Sequence, residues 1–312
     1  MNNKVIVIVG PTASGKTSLS IEIAKHFDGE IISADSMQIY KKMDIATAKP
    51  SKEEMQGIPH HLIDFLPPSE KFSVAKYKEL CYEKIEDIKR RGKIPVIVGG
   101  TGLYIDTVIN NTVFLEYEEN SIRRQFEDEC EKNGISSLYD KLCEVDKASA
   151  EKLNLSDKKR IIRALEVFYS TGKTKTEQNE LSHLEKSKYD FCIIGLTAEN
   201  RDFLYERINK RVDLMVENGL IEEATEFFKS EYSNTAVQAI GYKELKPYFD
   251  GVCSLDGALE KLKMESRRYA KRQLTWFRRN KNINWISIDN CNDIIGKAIE
   301  IIKDFGVNAN EK

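Results

Sequence analysis

Val5-Ile-Val-Ile-Val9 runs directly into Gly10-Pro-Thr-Ala-Ser-Gly-Lys16-Thr17, and this stretch decides the fold. A β-branched run without alternation predicts a strand buried on both faces, the kind found in parallel α/β sheets. The segment from Gly10 to Thr17 matches G-x-x-x-x-G-K-S/T, a glycine turn that curls consecutive backbone N–H groups around an anion at the start of a helix. Gly10, Pro11, Thr12, Ala13, Ser14, Gly15, Lys16 and Thr17 are therefore candidate ligands of a diphosphate or nucleotide. Lys16 supplies a point charge, and the Thr17 hydroxyl is placed to reach a magnesium ion. The loop alone does not say which bond breaks, because ATP hydrolysis, kinase chemistry and departure of pyrophosphate from carbon all need such a cradle.

Working outward, strand-like runs recur at Gly29-Glu-Ile-Ile-Ser33, Ile94-Pro-Val-Ile-Val98, Phe191-Cys-Ile-Ile-Gly195 and Ile283-Asn-Trp-Ile-Ser-Ile288. Helical stripes at Leu19, Ile23 and Phe27, and at Val74, Tyr77, Cys81, Ile85 and Ile88, alternate with the first of them. Alternation of strand and helix predicts a P-loop α/β core with a parallel sheet. Between 116 and 189 the strand runs vanish and charged, helix-spaced sequence takes over, which predicts a mostly helical insertion between core segments 1–115 and 190–312. Its start is acidic, with Glu116, Glu118, Glu119, Glu127, Asp128, Glu129 and Glu131. Ile161, Ile162, Leu165, Phe168 and Tyr169 form an amphipathic face that stops at Gly172. A long helix through Leu204, Ile208, Val212 and Met215 carries Arg207 and Arg211 four residues apart, on one face.

Two further turns belong beside the phosphate loop. Asp35 follows the second strand run, and ligands of open α/β sheets lie outside the carboxyl ends of the strands, so this carboxylate should face the loop. It could hold magnesium, accept a proton as a general base, or merely cap a loop. Gly99-Gly-Thr-Gly-Leu-Tyr104 brings small residues and the Thr101 hydroxyl to the end of the third run.

At 312 residues, with 41% hydrophobic and 31% charged residues, the chain has the size and composition of a globular protein with a large core. No apolar run approaches the roughly 18 residues of a membrane helix, so the cytoplasm is the expected location. The net charge of -2 argues on its face against a nucleic-acid partner. The total conceals polarisation, because Lys261 to Lys281 holds nine basic residues against the single acid Glu265, a local +8. Trp276 and Phe277 are interleaved there, a composition suited to phosphate contacts with aromatic support. An amphipathic helix with Tyr269, Leu274 and Trp276 packed inward is the alternative. His60 and His61 are adjacent, and neighbours in an extended segment point opposite ways, which favours structural roles over joint chelation. Six cysteines without a C-x-x-C pair read as free thiols.

GPTASGKT at 10–17, DSMQIYK at 35–41, TAKP at 47–50, HHLID at 60–64 and GGTGLY at 99–104 together resemble the bacterial tRNA dimethylallyltransferases. The similarity continues through RALEVF at 163–168, TGKT at 171–174, GYKEL at 241–245 and YAKRQLTWFR at 269–278, nearly the whole chain in order. Ala46 stands where a glycine is usual, and Lys147 where a proline is common. The resemblance implies transfer of a dimethylallyl group from dimethylallyl diphosphate to N6 of adenosine at tRNA position 37, beside the anticodon, with release of pyrophosphate. It implies Asp35 as the base, with Thr12, Arg207 and Arg211 also in the catalytic set, Arg207 being the first choice to clamp the diphosphate, and Thr17 with Mg2+. It implies tRNA contacts at Asp35, Ser36, Met37, Gln38, Thr101, Arg123, Lys159, Arg160, Ile161, Ile162 and Arg163. The same holds for Gln238, Ala239, Ile240, Gly241, Tyr242, Lys243, Lys271, Arg272 and Gln273. The expected partners are the anticodon stem-loop of tRNA and the diphosphate donor, and the expected state is a monomer. A nucleoside or nucleotide kinase and a nucleotide-switched RNA-binding protein are the rival expectations, since both would use the same loop.

Overall fold

The computed structural model describes residues 3–115, 122–184 and 186–308, so Glu116, Glu118 and Glu119 lie outside the described residues. By its contacts the chain divides into two units, one formed by Met1–Val108 with Lys188–Lys312, the other by Ile109–Ser187.

The first unit opens with β1 (Lys4–Val9), α1 (Lys16–His26), β2 (Gly29–Ser33), the single-turn α2 (Lys52–Met55), β3 (His60–His61), α3 (Val74–Arg90), β4 (Ile94–Gly99) and α4 (Gly102–Ile109). The second unit is made of α5 (Ile122–Asn133), α6 (Ile135–Val145), α7 (Lys147–Ala150), α8 (Lys158–Thr171) and α9 (Lys175–Leu184). The chain then returns to the first unit as β5 (Asp190–Thr197), α10 (Arg201–Glu217), α11 (Leu220–Lys229), α12 (Tyr242–Phe249), α13 (Leu255–Phe277), β6 (Asn284–Ser287) and α14 (Ile294–Asp304). Among the described residues the strands form one parallel sheet in the order β3-β2-β4-β1-β5-β6. Five of them coincide with the apolar runs. The exception, β3, is a two-residue pairing of His60 and His61 with Ile31 and Ile32, too short and too polar to announce itself.

Burial follows the sequence pattern. Val5 to Val9 are fully buried, with Ile6 opposite Val96 on one side and Cys192 on the other. Leu19 and Ile23 of α1 and Phe27 just after it pack on that sheet with Ala298 and Ile302 of α14. Register then aligns the carboxyl ends: Val9 is opposite Gly99, and Ser33 opposite Val98. Consequently the loop after β1, the Asp35 turn after β2 and the glycine turn after β4 emerge side by side. A second apolar cluster of the same unit gathers Tyr40, Val212, Leu220, Phe227, Tyr242 and Leu262. The histidines take separate partners, His61 Nε2 at 2.7 Å from Glu30 and His60 Nδ1 at 2.8 Å from the Ile58 carbonyl.

In the second unit Phe126, Leu138, Leu142, Ile161, Ile162 and Leu165 form a core of their own. Thr171-Gly-Lys-Thr174 is a stop between helices: Gly172 takes φ 70 at the end of α8, and the Thr174 hydroxyl accepts from Glu177 N–H ahead of α9. No helix of the described residues is long and apolar enough to cross a membrane.

Candidate active site

The phosphate loop is built from glycines at two positions that demand them. Gly10 has φ 150, and a Cβ there would lie 2.8 Å from the Leu196 carbonyl oxygen, so the loop leaves β1 pressed against β5. Gly15, with φ 89, caps α1 in the left-handed region. Lys16 Nζ donates to the Pro11 carbonyl at 2.6 Å, closing the loop on itself. Burial, reinforced by the positive charge of Arg211 and opposed by Asp35, pushes the Lys16 ammonium down to about 7. The Ser14 hydroxyl is buried with no hydrogen-bond partner among the described residues. A buried orphan hydroxyl beside an underpaired ammonium is the arrangement expected where anionic oxygens bind.

Asp35 is held as a turn rather than as a helix cap. Its Oδ1 accepts from Met37 N–H at 2.9 Å and Gln38 N–H at 3.3 Å. One carboxylate oxygen thus fixes the side chain, and the other is left to the cavity that Asp35 lines. Thr101 locks this turn to the next one: its Oγ1 accepts from Ser36 N–H at 3.0 Å, and its own N–H donates to the Ala34 carbonyl at 3.2 Å. Gly99 permits the approach, since a Cβ there would sit 2.1 Å from the Ala34 oxygen.

A cavity of about 350 Å³ opens between these turns, lined among others by Lys16, Asp35, Met37, Arg211, Tyr269 and Arg272. A larger cleft of about 1300 Å³ reaches Thr17, Lys49, Arg207 and Leu214 from the other side. Thr17 and Arg211 border both. The two arginines of α10 therefore differ. Arg207 Nε donates to the Ala13 carbonyl at 2.9 Å and holds the loop from outside, whereas Arg211 faces Lys16 and Asp35, where burial lowers its pKa and Asp35 opposes that.

Several residues in the segments expected at an RNA contact have buried side chains. Ile161 and Ile162 belong to the apolar centre of the second unit, and Ala239, Tyr242 and Phe277 are at most 2% exposed. Tyr242 stacks on Phe227 with ring centres 4.1 Å apart and donates its hydroxyl to Glu223. Gly241, with φ 114, runs so close to Ala46 that a Cβ would meet the alanine methyl at 3.0 Å, so these two positions share one space. Gln38 spends its Nε2 on the Thr47 and Ala48 carbonyls. The buried stripe of α13 is Ala258, Leu262, Ser266, Ala270, Gln273 and Phe277, while Tyr269, Leu274 and Trp276 are partly buried, Leu274 packing against the cluster of Leu204, Ile208 and Ala270. Trp276 donates Nε1 to Asp106 at 2.8 Å and packs so tightly on Gly102 that a Cβ there would lie 2.2 Å away. Lys159, Arg160, Arg163, Arg123, Gln238, Lys243, Lys271 and Arg272 are exposed as an RNA contact requires, and Ile240 and Met37 line the 350 Å³ cavity. Glu166, buried in the second unit, pairs with Arg163 at 3.0 Å and reaches Arg123 at 3.9 Å.

Sequence reading missed Glu223. Its carboxylate accepts from Asp44, Ile45 and Ala46 N–H at 2.7, 2.7 and 2.9 Å and so shapes the loop beside the cavity. No local pattern marks a carboxylate whose loop N–H partners are 177 residues or more away.

The IPP transferase family model matches residues 38–280. The tRNA dimethylallyltransferase of Caldanaerobacter subterraneus is 49% identical over 92% of both chains. The crystal structure of the tRNA isopentenylpyrophosphate transferase of Bacillus halodurans superimposes with a TM-score of 0.71 at 45% identity, covering 97% of this chain and 96% of that one. A eukaryotic dimethylallyltransferase, captured acting on tRNA, superimposes with a TM-score of 0.84 at 33% identity over 97% of this chain and 79% of that one. The glycine loop, the Asp35 turn and the arginine helix therefore sit in a chain that belongs to the IPP transferase family.

Proposed function

We propose that the protein transfers a dimethylallyl group from dimethylallyl diphosphate to N6 of the adenosine at tRNA position 37, beside the anticodon. The observation that carries this reading is the single cavity holding both Lys16 of the phosphate loop and the free oxygen of Asp35. An exocyclic amine is a poor nucleophile, because its lone pair is delocalised into the ring, so attack gains from a base. As N6 bonds to the allylic carbon, the carbon–oxygen bond breaks, pyrophosphate leaves with the electron pair, and Asp35 takes the N6 proton. Loop N–H groups, the Ser14 hydroxyl, Lys16 and Arg211 stabilise charge growing on the leaving oxygens. Arg207 keeps the loop in shape.

The buried Ser14 hydroxyl and the exposed Thr17 hydroxyl suit an oxygen-loving ion shared with the diphosphate, and magnesium characteristically takes few protein ligands beside substrate phosphates. Thr17 would hold it. Bound there, the ion would neutralise phosphate oxygens and so favour departure of pyrophosphate.

Delivery of the adenine requires it to leave the loop stack, since a stacked base cannot reach a carboxylate inside a cavity. Asp35 to Gln38, Thr101 and Ile240 would then line its path, with Lys271, Arg272 and Lys243 on phosphates. Lys159, Arg160, Arg163 and Arg123 make the helical unit, residues 116–189 as read from sequence, a second RNA-binding element. Such an enzyme would work in the cytoplasm as a monomer.

Incubation with unmodified tRNA, magnesium and dimethylallyl diphosphate, followed by nucleoside mass spectrometry, should show one adenosine per tRNA gaining a five-carbon unit without ATP. Phosphate transfer from ATP with no alkylated adenosine would overturn the reading in favour of a kinase.

A further inference from the structure

Gln273 lies between the exposed bases of α13 in sequence but points the other way, and it is 5% exposed. Both ends of its carboxamide are used. Oε1 accepts from Thr12 N–H at 2.9 Å, and Nε2 donates to the Gly100 carbonyl at 3.0 Å. The partners fix the orientation of the amide, because an N–H needs an acceptor and a carbonyl needs a donor. A Cβ on Gly100 would fall 2.1 Å from Nε2, so a glycine there is what lets the amide through. One side chain thus ties the phosphate loop after β1 to the glycine turn after β4. It also takes the Thr12 N–H out of the set of donors that can turn toward a diphosphate.

We propose that Gln273 is a positioning residue for the donor diphosphate, acting through Thr12 and Gly100, and not a contact to RNA. The identity of the donor rests on the proposed function. The physical content is narrower: the shape of the phosphate loop is set by an amide from α13. Losing that amide lets the loop relax, and a displacement of about 1 Å at a reacting group costs on the order of 100-fold in rate.

Two variants test this. Gln273→Met keeps length and bulk but offers no hydrogen bond. Gln273→Glu is a near-isostere whose protonated form both donates to Gly100 and accepts from Thr12, while its ionised form has lost the donor. With Gln273→Met, kcat/KM for dimethylallyl diphosphate should fall about 10- to 100-fold. Its Kd for tRNA should stay within about twofold of wild type, as expected for a side chain that makes no contact to RNA. The ratio of Gln273→Glu to wild-type kcat/KM should rise as pH is lowered from about 8 to about 6, because burial raises the pKa of the new carboxyl. A merely structural role would leave that ratio flat. Calorimetric binding of inorganic pyrophosphate without tRNA should be weaker for Gln273→Met than for wild type, and this result stands even if transfer to tRNA were absent, which would sink the functional reading alone. Weakened tRNA binding with unchanged donor parameters, a flat pH ratio, or unchanged pyrophosphate affinity would each overturn the proposal. Should Gln273→Met fail to fold, the pH ratio of Gln273→Glu decides.

Discussion

Arg207 and Arg211 occupy equivalent steps of one helical face, yet their surroundings give them different work. Arg207 is tied to the Ala13 carbonyl and stacks on Phe203, with its guanidinium 5.8 Å from the ring centre. Arg211 borders both cavities and is electrostatically coupled to Lys16 and Asp35. Removing charge beside a leaving diphosphate costs more than loosening its cradle from behind. Arg211→Met should therefore lower kcat/KM for the diphosphate by about 100- to 1000-fold, the magnitude typical of a lost transition-state donor. Arg207→Met should cost about tenfold, a loosened loop rather than a lost charge. Steady-state kinetics on both variants decides, and an effect of Arg207 larger than that of Arg211 would reverse the assignment. The spacing of the two arginines was visible in the sequence, but which one faces the site depends on where α10 lies against the loop, a tertiary fact with no local signature.

Among the elements, β2, β3 and the end of α3 meet at a buried charge. Glu30, 2% exposed, accepts from both terminal nitrogens of Arg91 and lies 2.7 Å from His61 Nε2. Hydrogen bonds from Arg91, against the opposing effect of burial and helped by His61, pull the Glu30 carboxyl down to about 2. A carboxylate depressed in the folded state contributes stability that is complete above its unfolded value, near 4.5, and is lost as pH falls toward 2. Denaturant unfolding from pH 6 to about 2 should accordingly show a flatter stability profile for Glu30→Gln below about 4.5 than for wild type. Parallel profiles would remove Glu30 from that role. This cluster explains what was and was not legible among the elements. Apolar runs such as Ile94 to Val98 identify themselves, because a strand buried on both faces has to be apolar. The pairing of His60 and His61 does not, because it is held by Glu30 and two backbone registers rather than by any pattern of its own. Likewise the basic stretch of α13 was readable as charge, whereas its inward stripe is interrupted by the polar Ser266 and Gln273, and Gln273 is buried because Thr12 and Gly100 receive its amide.

For the whole molecule, a net charge of -2 coexists with a strongly basic segment from Lys261 to Lys281, so the composition as a whole says little about partners. Affinity for tRNA should fall steeply with salt as phosphate contacts displace counterions. Lys271→Ala and Arg272→Ala should each weaken tRNA binding and reduce the slope of log Kd against log salt by about one. Filter binding across a salt series checks this, and unchanged slopes would take α13 off the RNA. The central claim concerns the juxtaposition that the parallel sheet creates, a phosphate cradle after β1 facing a carboxylate after β2. Single-turnover transfer from labelled dimethylallyl diphosphate, with Asp35→Ala saturated by both substrates, tests it most directly. The variant should bind tRNA like wild type and transfer label at a rate lower by about 100- to 10,000-fold, the contribution of a general base. Transfer at the wild-type rate would contradict the account.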